Sequence, residues 1–191
     1  QIKDVCGSDV PVGLVPCGRL CYPAVDTPEN REAAYKASFD LSFGWDFTFN
    51  IILDSVCLRK YDETAPAAVK AFAATIPDSD WDLMEKPDFI GINVYQGDPV
   101  LADGSMMPIP SGFPLTATKW KITPEVMHYG PQNLYRRYGL PMIISENGLS
   151  CNDHVFLDGQ VHDPERIDFL HRYLLELSKG IEEGNPVKAY L

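Results

Sequence analysis

The sequence predicts an α/β protein built on a parallel sheet, and three observations carry that prediction. Two short apolar runs, residues 88–95 and 141–144, read as strands, the second of them buried on both faces as parallel strands are. Helix signatures fall between and after them: Thr27-Pro28-Glu29 and Thr123-Pro124-Glu125 each place an N-cap threonine before a proline at the first helical position. The order along the chain is strand, helix, strand, helix, strand, helix and the start of another strand. Such alternation builds a parallel sheet covered by helices.

The first strand is expected within residues 10–17, where Pro11 and Gly13 weaken the local pattern. Thr27 then caps a helix favoured by Ala33, Ala34 and Ala37. Residues 41–61 are aromatic and irregular, and no element is assigned there. A poorer helix covers 66–74, followed by the strand at 88–95. The Pro-, Gly-, Ser- and Thr-rich stretch 96–119 reads as a long loop, a length usually functional or disordered. The helix after Thr123 is expected to be interrupted at Gly130-Pro131, to resume towards Tyr138, and to end at Gly139. Asp163-Pro164-Glu165-Arg166 opens the clearest helix. Ile167, Leu170, Leu174, Leu177 and Ile181 repeat at 3 and 4 residues and predict its buried stripe. Gly184-Asn185-Pro186 stops it, and 187–191 begins another strand. No repeat or linker divides the 191 residues, so one domain is expected.

Composition limits the function. The chain is 45% hydrophobic, enough for one sizeable core, and its net charge is −11. That charge argues against nucleic-acid and anionic-membrane partners and suits a neutral substrate. No run is apolar and long enough to cross a membrane, and no signal peptide opens the chain. Cys6, Cys17, Cys21, Cys57 and Cys151 show no paired or metal spacing, and read as reduced thiols of a cytoplasmic protein. His128, His154, His162 and His171 show no metal or triad spacing, and His171 reads as a packing residue. The chain opens on Gln1, as a piece of a longer one would.

The most informative stretch is Leu140-Pro141-Met142-Ile143-Ile144-Ser145-Glu146-Asn147-Gly148-Leu149. A carboxylate closes a buried strand, and Asn147-Gly148 turns the chain. The C-terminal ends of parallel strands are where such sheets place their chemistry. Taken alone, the pattern also fits a solvated Glu146 beside an ordinary turn.

Longer motifs narrow this. Asp88-Phe89-Ile90-Gly91-Ile92-Asn93-Val94-Tyr95 resembles the D-F-I-G-I-N-Y-Y motif of family 1 glycoside hydrolases, the retaining β-glucosidases. Trp120-Lys121-Ile122-Thr123-Pro124-Glu125 resembles their W-x-I-x-P-E-G-L segment. Arg137-Tyr138-Gly139-Leu140-Pro141 with Ile143-Ile144-Ser145-Glu146-Asn147-Gly148 resembles R-Y-x-x-P-I-I-I-T-E-N-G. Asp158-Gly159, Asp163, Arg166-Ile167 and Phe169-Leu170 fit the D-G-x-V-x-D-x-x-R-I-x-F-L stretch behind it. Tyr22-Pro23 and Glu32-Ala33-Ala34 match a weaker early segment.

The resemblance implies a partial (β/α)8 TIM barrel, strands 5 to 7 and the start of strand 8, with its site at the C-terminal strand ends. It implies β-glucoside hydrolysis with retention through two carboxyl groups about 5–5.5 Å apart. Glu146 would be the nucleophile and Tyr95 the donor that positions it. Asn93 would lie in the same pocket, with Trp120 as an apolar wall. Without the motif, Tyr95 and Trp120 would read as core aromatics. The T-F-N-E-P motif of the acid/base glutamate is absent, as is the sugar-gripping W-S-x-x-D-N-x-E-W segment. No cofactor is implied. The expected ligand is a β-glucoside or cello-oligosaccharide, and the expected partner is a complementary N-terminal half or a second copy. Two alternatives stay open: a 6-phospho-β-glycosidase, or a non-catalytic half-barrel that self-assembles or binds sugar. Residues 50–62, Val94, Met127-His128-Tyr129 and Ala189 depart from the family pattern.

Overall fold

The computed structural model describes residues 2–42 and 47–191, so positions 43–46 of the unassigned 41–61 stretch lie outside the described residues. In chain order its elements are α1 (Ile2–Cys6), β1 (Gly13–Leu14), β2 (Cys21–Pro23), α2 (Pro28–Ser38), α3 (Asn50–Leu53), α4 (Ala67–Ala73), α5 (Asp78–Asp82), β3 (Phe89–Asn93), β4 (Asp98–Val100), α6 (Val126–Tyr138), β5 (Met142–Glu146), α7 (Pro164–Glu182) and β6 (Val187–Tyr190). A π-helical turn, Asp54–Leu58, continues α3.

The main sheet is parallel throughout, in the order β1-β3-β5-β6. Strands adjacent in the sheet are therefore joined by helical crossovers, as the alternation predicts. Ile90, Ile92, Val94, Met142 and Ile144 are fully buried and share one core with Met127, Leu134, Phe169 and Tyr173 of α6 and α7. Burial on both faces is not realised along β5. Met142 and Ile144 are buried, while Ile143 and Ser145 between them are half-buried. Alternate side chains of a strand leave on opposite faces, and the helices close only one of them.

The local signals explain most boundaries. Thr27 caps α2, its hydroxyl accepting from the Asn30 amide at 3.3 Å, with Pro28 in the first turn. Gly139 ends α6 at φ 64°, a left-handed conformation that favours glycine, and its amide donates to the Tyr135 carbonyl. Thr123 does not cap α6. Glu125 takes the capping position with helical backbone, and the Thr123 hydroxyl instead accepts from the Gly97 amide at 2.8 Å. The helix also runs unbroken through Pro131. Residues 126–131, Asn133 and Leu134 are all buried. Packing on this scale outweighs the roughly 3 kcal/mol that an internal proline costs.

The buried stripe of α7 shares only Leu177, and the partly buried Leu170, with the predicted one. Phe169, Tyr173, Leu177 and Gly180 face the core, whereas Ile167 is 68%, Leu174 42% and Ile181 46% exposed. The helix carries two apolar stripes, and the one holding the stacked Phe169–Tyr173 rings, 3.9 Å apart, wins the core. His171 is exposed rather than packed. The buried histidine is His128, whose Nε2 lies 3.0 Å from Glu183.

Of the elements with no counterpart in the expectations, among them α1, β2, α3 and α5, two bear on the site and its support. The stretch 96–119 contains β4, which pairs in parallel with β2, Cys21 opposite Asp98. Within 41–61, the π-helical turn buries Asp54. Its carboxylate takes two bonds from the Arg137 guanidinium, at 2.9 and 2.6 Å, and one from the Tyr138 hydroxyl at 2.8 Å. Arg137 also reaches Asp62 at 3.2 Å and lies 4.7 Å from the Phe39 ring centre. This cluster fixes residues 54–62 to the end of α6, despite their departure from the family pattern.

Candidate active site

A cleft of about 650 Å³ opens at the C-terminal end of the main sheet, a volume within the range of small-molecule sites. The ends of β3 and β5 supply its floor. Between Ile92 and Asn93 the register slips, so that Asn93 lies opposite Glu146 instead of Ser145. The Val94 amide donates to the Glu146 carbonyl at 2.8 Å and holds the strand end in place. Asn147 secures the turn beyond it. Its side-chain amide donates to the Val94 carbonyl at 2.6 Å, and its oxygen accepts from the Tyr190 hydroxyl of β6 at 2.9 Å.

All four residues expected in the site line this cleft: Glu146, Tyr95, Asn93 and Trp120. The Tyr95 hydroxyl donates to the Glu146 carboxylate. That bond, then burial, pushes the Tyr95 phenol up to about 12, so it remains a neutral donor at ordinary pH. Glu146 is exposed to the cleft, not buried in the core. Asn93 accepts from the Ser145 hydroxyl at 2.8 Å and points its amide nitrogen at the Cys17 sulfur, 3.8 Å away. Trp120 packs against Tyr95 with ring centres 5.2 Å apart and a tilt of 58°. It is 43% exposed, so it is a cleft wall and not core.

Further lining residues were not picked out from the sequence. Cys17, Gly18, Arg19 and Leu20 follow β1, and Asp98 opens β4. Asp98 forms an ion pair with Lys121 beside Trp120. Apart from Glu146, Asp98 is the one carboxylate among the described residues that line the cleft. Only the Trp120-Lys121 adjacency was visible in the sequence, since Asp98 sits in a stretch that reads as loop. No group of three or more His, Cys, Asp or Glu residues able to hold a metal ion occurs among the described residues. No helix among them is long and apolar enough to cross a membrane.

The model of glycosyl hydrolase family 1 matches residues 1–191. The chain belongs to that family. A beta-glucosidase A of Acetivibrio thermocellus is 32% identical over 193 residues, covering 95% of this chain and 42% of that protein. An aryl-phospho-beta-D-glucosidase of Bacillus subtilis is 31% identical over 199 residues, covering 88% and 40%. The structure of a beta-glucosidase from Thermotoga maritima in complex with deoxynojirimycin superposes with a TM-score of 0.70 at 26% identity, over 99% of this chain and 42% of that one. This family 1 chain thus spans about two-fifths of the length of the proteins it matches. Its fold is α/β with parallel sheets, its solved neighbours are TIM-barrel β-glucosidases, and its relatives are glycoside hydrolases.

Proposed function

We propose that this chain supplies the nucleophile half of a retaining β-glucosidase, forming strands 5 to 7 and the start of strand 8 of a (β/α)8 barrel. The observation that carries the reading is the Tyr95–Glu146 hydrogen bond at the strand ends, inside a cleft walled by an exposed tryptophan. Glu146 attacks the anomeric carbon of a β-glucoside or cello-oligosaccharide and holds the glycosyl-enzyme. Tyr95 donates to the carboxylate oxygen that does not attack, which orients the nucleophile. Asn93 offers an amide to the bound sugar, and Trp120 gives the aglycone an apolar face. A second carboxyl group must protonate the leaving oxygen and then activate water. Among the described residues lining the cleft, the other carboxylate, Asp98, is engaged by Lys121, and with the T-F-N-E-P motif absent the proposal assigns that role to a glutamate outside these 191 residues. The complete reaction therefore belongs to the closed barrel, and the chain alone turns over almost nothing. The reading needs no cofactor and places the protein in the cytoplasm.

The deciding experiment uses a 2-deoxy-2-fluoro glucoside with a good leaving group. In a closed barrel containing this chain, the fluorosugar is expected to accumulate on Glu146, as read by peptide mass mapping. A label on another carboxylate overturns the assignment. The phosphorylated alternative is kept because the Bacillus subtilis relative spans nearly as much of the chain. Comparing labelling by the plain and the 6-phosphorylated fluoroglucoside separates the two.

Assembly is part of the same proposal. Ile167, Leu174, Leu175 and Ile181 expose an apolar strip along α7, and β1 and β6 are open sheet edges. The isolated chain is expected to dimerise, aggregate or pair with a complementary half. A compact monomer of 21.3 kDa in sedimentation, unfolding cooperatively, would count against this.

A further inference from the structure

We propose that Tyr173, on the far side of the cleft wall in α7, is a positioning residue that sets Tyr95 and the Trp120 segment against each other. This rests on the reading of Tyr95 and Glu146 as a working pair, and adds a residue to it.

Tyr173 is fully buried, and its ring stacks on Phe169. A phenylalanine would fill that space equally well. A phenol hydroxyl in a core is costly unless it is bonded on site. Here it is used twice: it donates to the Tyr95 carbonyl at 2.8 Å and accepts from the Thr123 amide at 2.9 Å. One oxygen therefore ties the end of β3 to the segment that carries Trp120 and Lys121. Two further bonds run between the same segments. The Thr123 hydroxyl accepts from the Gly97 amide at 2.8 Å, and the Gln96 side-chain oxygen accepts from the Lys121 amide at 2.9 Å. Of the three ties, Tyr173 alone acts on Tyr95 itself. Freeing that carbonyl lets the Tyr95 backbone rotate, and the hydroxyl at the tip of its side chain leaves the Glu146 oxygen.

In a closed barrel containing this chain, the test substitutes Tyr173→Phe and follows the Tyr95 ring carbon bearing the hydroxyl by NMR of 13C-labelled tyrosine. Glu146→Gln identifies the signal, because it replaces the carboxylate that holds the phenol at about 12 by an uncharged, weaker acceptor. In Tyr173→Phe the Tyr95 titration is expected to fall back towards the ordinary value of about 10. Leu177→Ala, a buried neighbour on the same helix, is the stability control and is expected to leave the Tyr95 titration in place. If Tyr173→Phe does not fold, Tyr173→4-aminophenylalanine keeps a donor at the para position and is expected to keep Tyr95 near its native titration. In a closed barrel, Tyr173→Phe is expected to lower kcat roughly tenfold with KM unchanged. An unmoved Tyr95 signal in Tyr173→Phe, an equal shift in Leu177→Ala, or a Tyr173→4-aminophenylalanine variant that titrates as an ordinary tyrosine at Tyr95 would each overturn the proposal. A shifted signal in a protein that hydrolyses no glucoside would keep Tyr173 as a positioning residue and remove the hydrolase reading instead.

Discussion

Glu146→Gln is expected to lower glucoside hydrolysis by roughly 10⁴-fold or more in a closed barrel containing this chain. The amide matches the carboxylate in shape and can still meet the Tyr95 hydroxyl, so the fold and the cleft persist. What disappears is the nucleophile, and without it no glycosyl-enzyme forms. Both kcat and kcat/KM fall, because the interaction lost exists only along the reaction path. Tyr95→Phe gives the graded companion result. One hydrogen bond to a charged group is worth about 1.5–3 kcal/mol, which converts to a loss of about 10- to 150-fold. Circular dichroism identical to the parent's, with turnover within tenfold of it in Glu146→Gln, would remove Glu146 from the reaction.

Arg137→Met is expected to be the most damaging substitution outside the cleft. The Asp54 side chain is 1% and the Arg137 side chain 13% exposed. Removing the guanidinium leaves a buried carboxylate with only the Tyr138 hydroxyl as a side-chain donor. Breaking one side of such a pair costs about 3–5 kcal/mol, equivalent to about 6–20 °C in the thermal midpoint of a chain this size. Adding Asp54→Asn should recover part of the loss, since the uncompensated charge is then gone. A midpoint unchanged by Arg137→Met, or a double variant worse than the sum of its parts, would show that the cluster does not hold residues 54–62 in place.

These two sites differ in how far the sequence announced them. The strand-end position of Glu146 was legible from a local pattern of apolar strand, carboxylate and turn, but that pattern also fits a solvated residue, and the role proposed for Glu146 came from the longer motif. Tyr95, Asn93 and Trp120 needed the motifs, since nothing local separates them from core aromatics and a strand-end amide. The Asp54–Arg137 cluster was not legible. It joins residues 83 apart, and Asp54 sits in a π-helical turn without periodicity. The α7 stripe was misjudged for a related reason. Spacing finds apolar faces, but which face wins depends on what the partner elements offer, and Tyr173 is drawn inward by two backbone groups far along the chain. The path of α6 through Pro131 is another tertiary override, set by burial that local propensity does not contain.

The hydrogen bond between Tyr173 and the Tyr95 carbonyl spans 78 residues. Ribosomes add about 5–20 residues per second, so roughly 4–16 s separate the birth of the two groups. Throughout that interval the Tyr95 carbonyl, two residues beyond β3, faces water or the wrong donor. The wall of the cleft thus sets only once α7 has been made, and anything that stalls translation between the two tyrosines prolongs its exposure to mispairing.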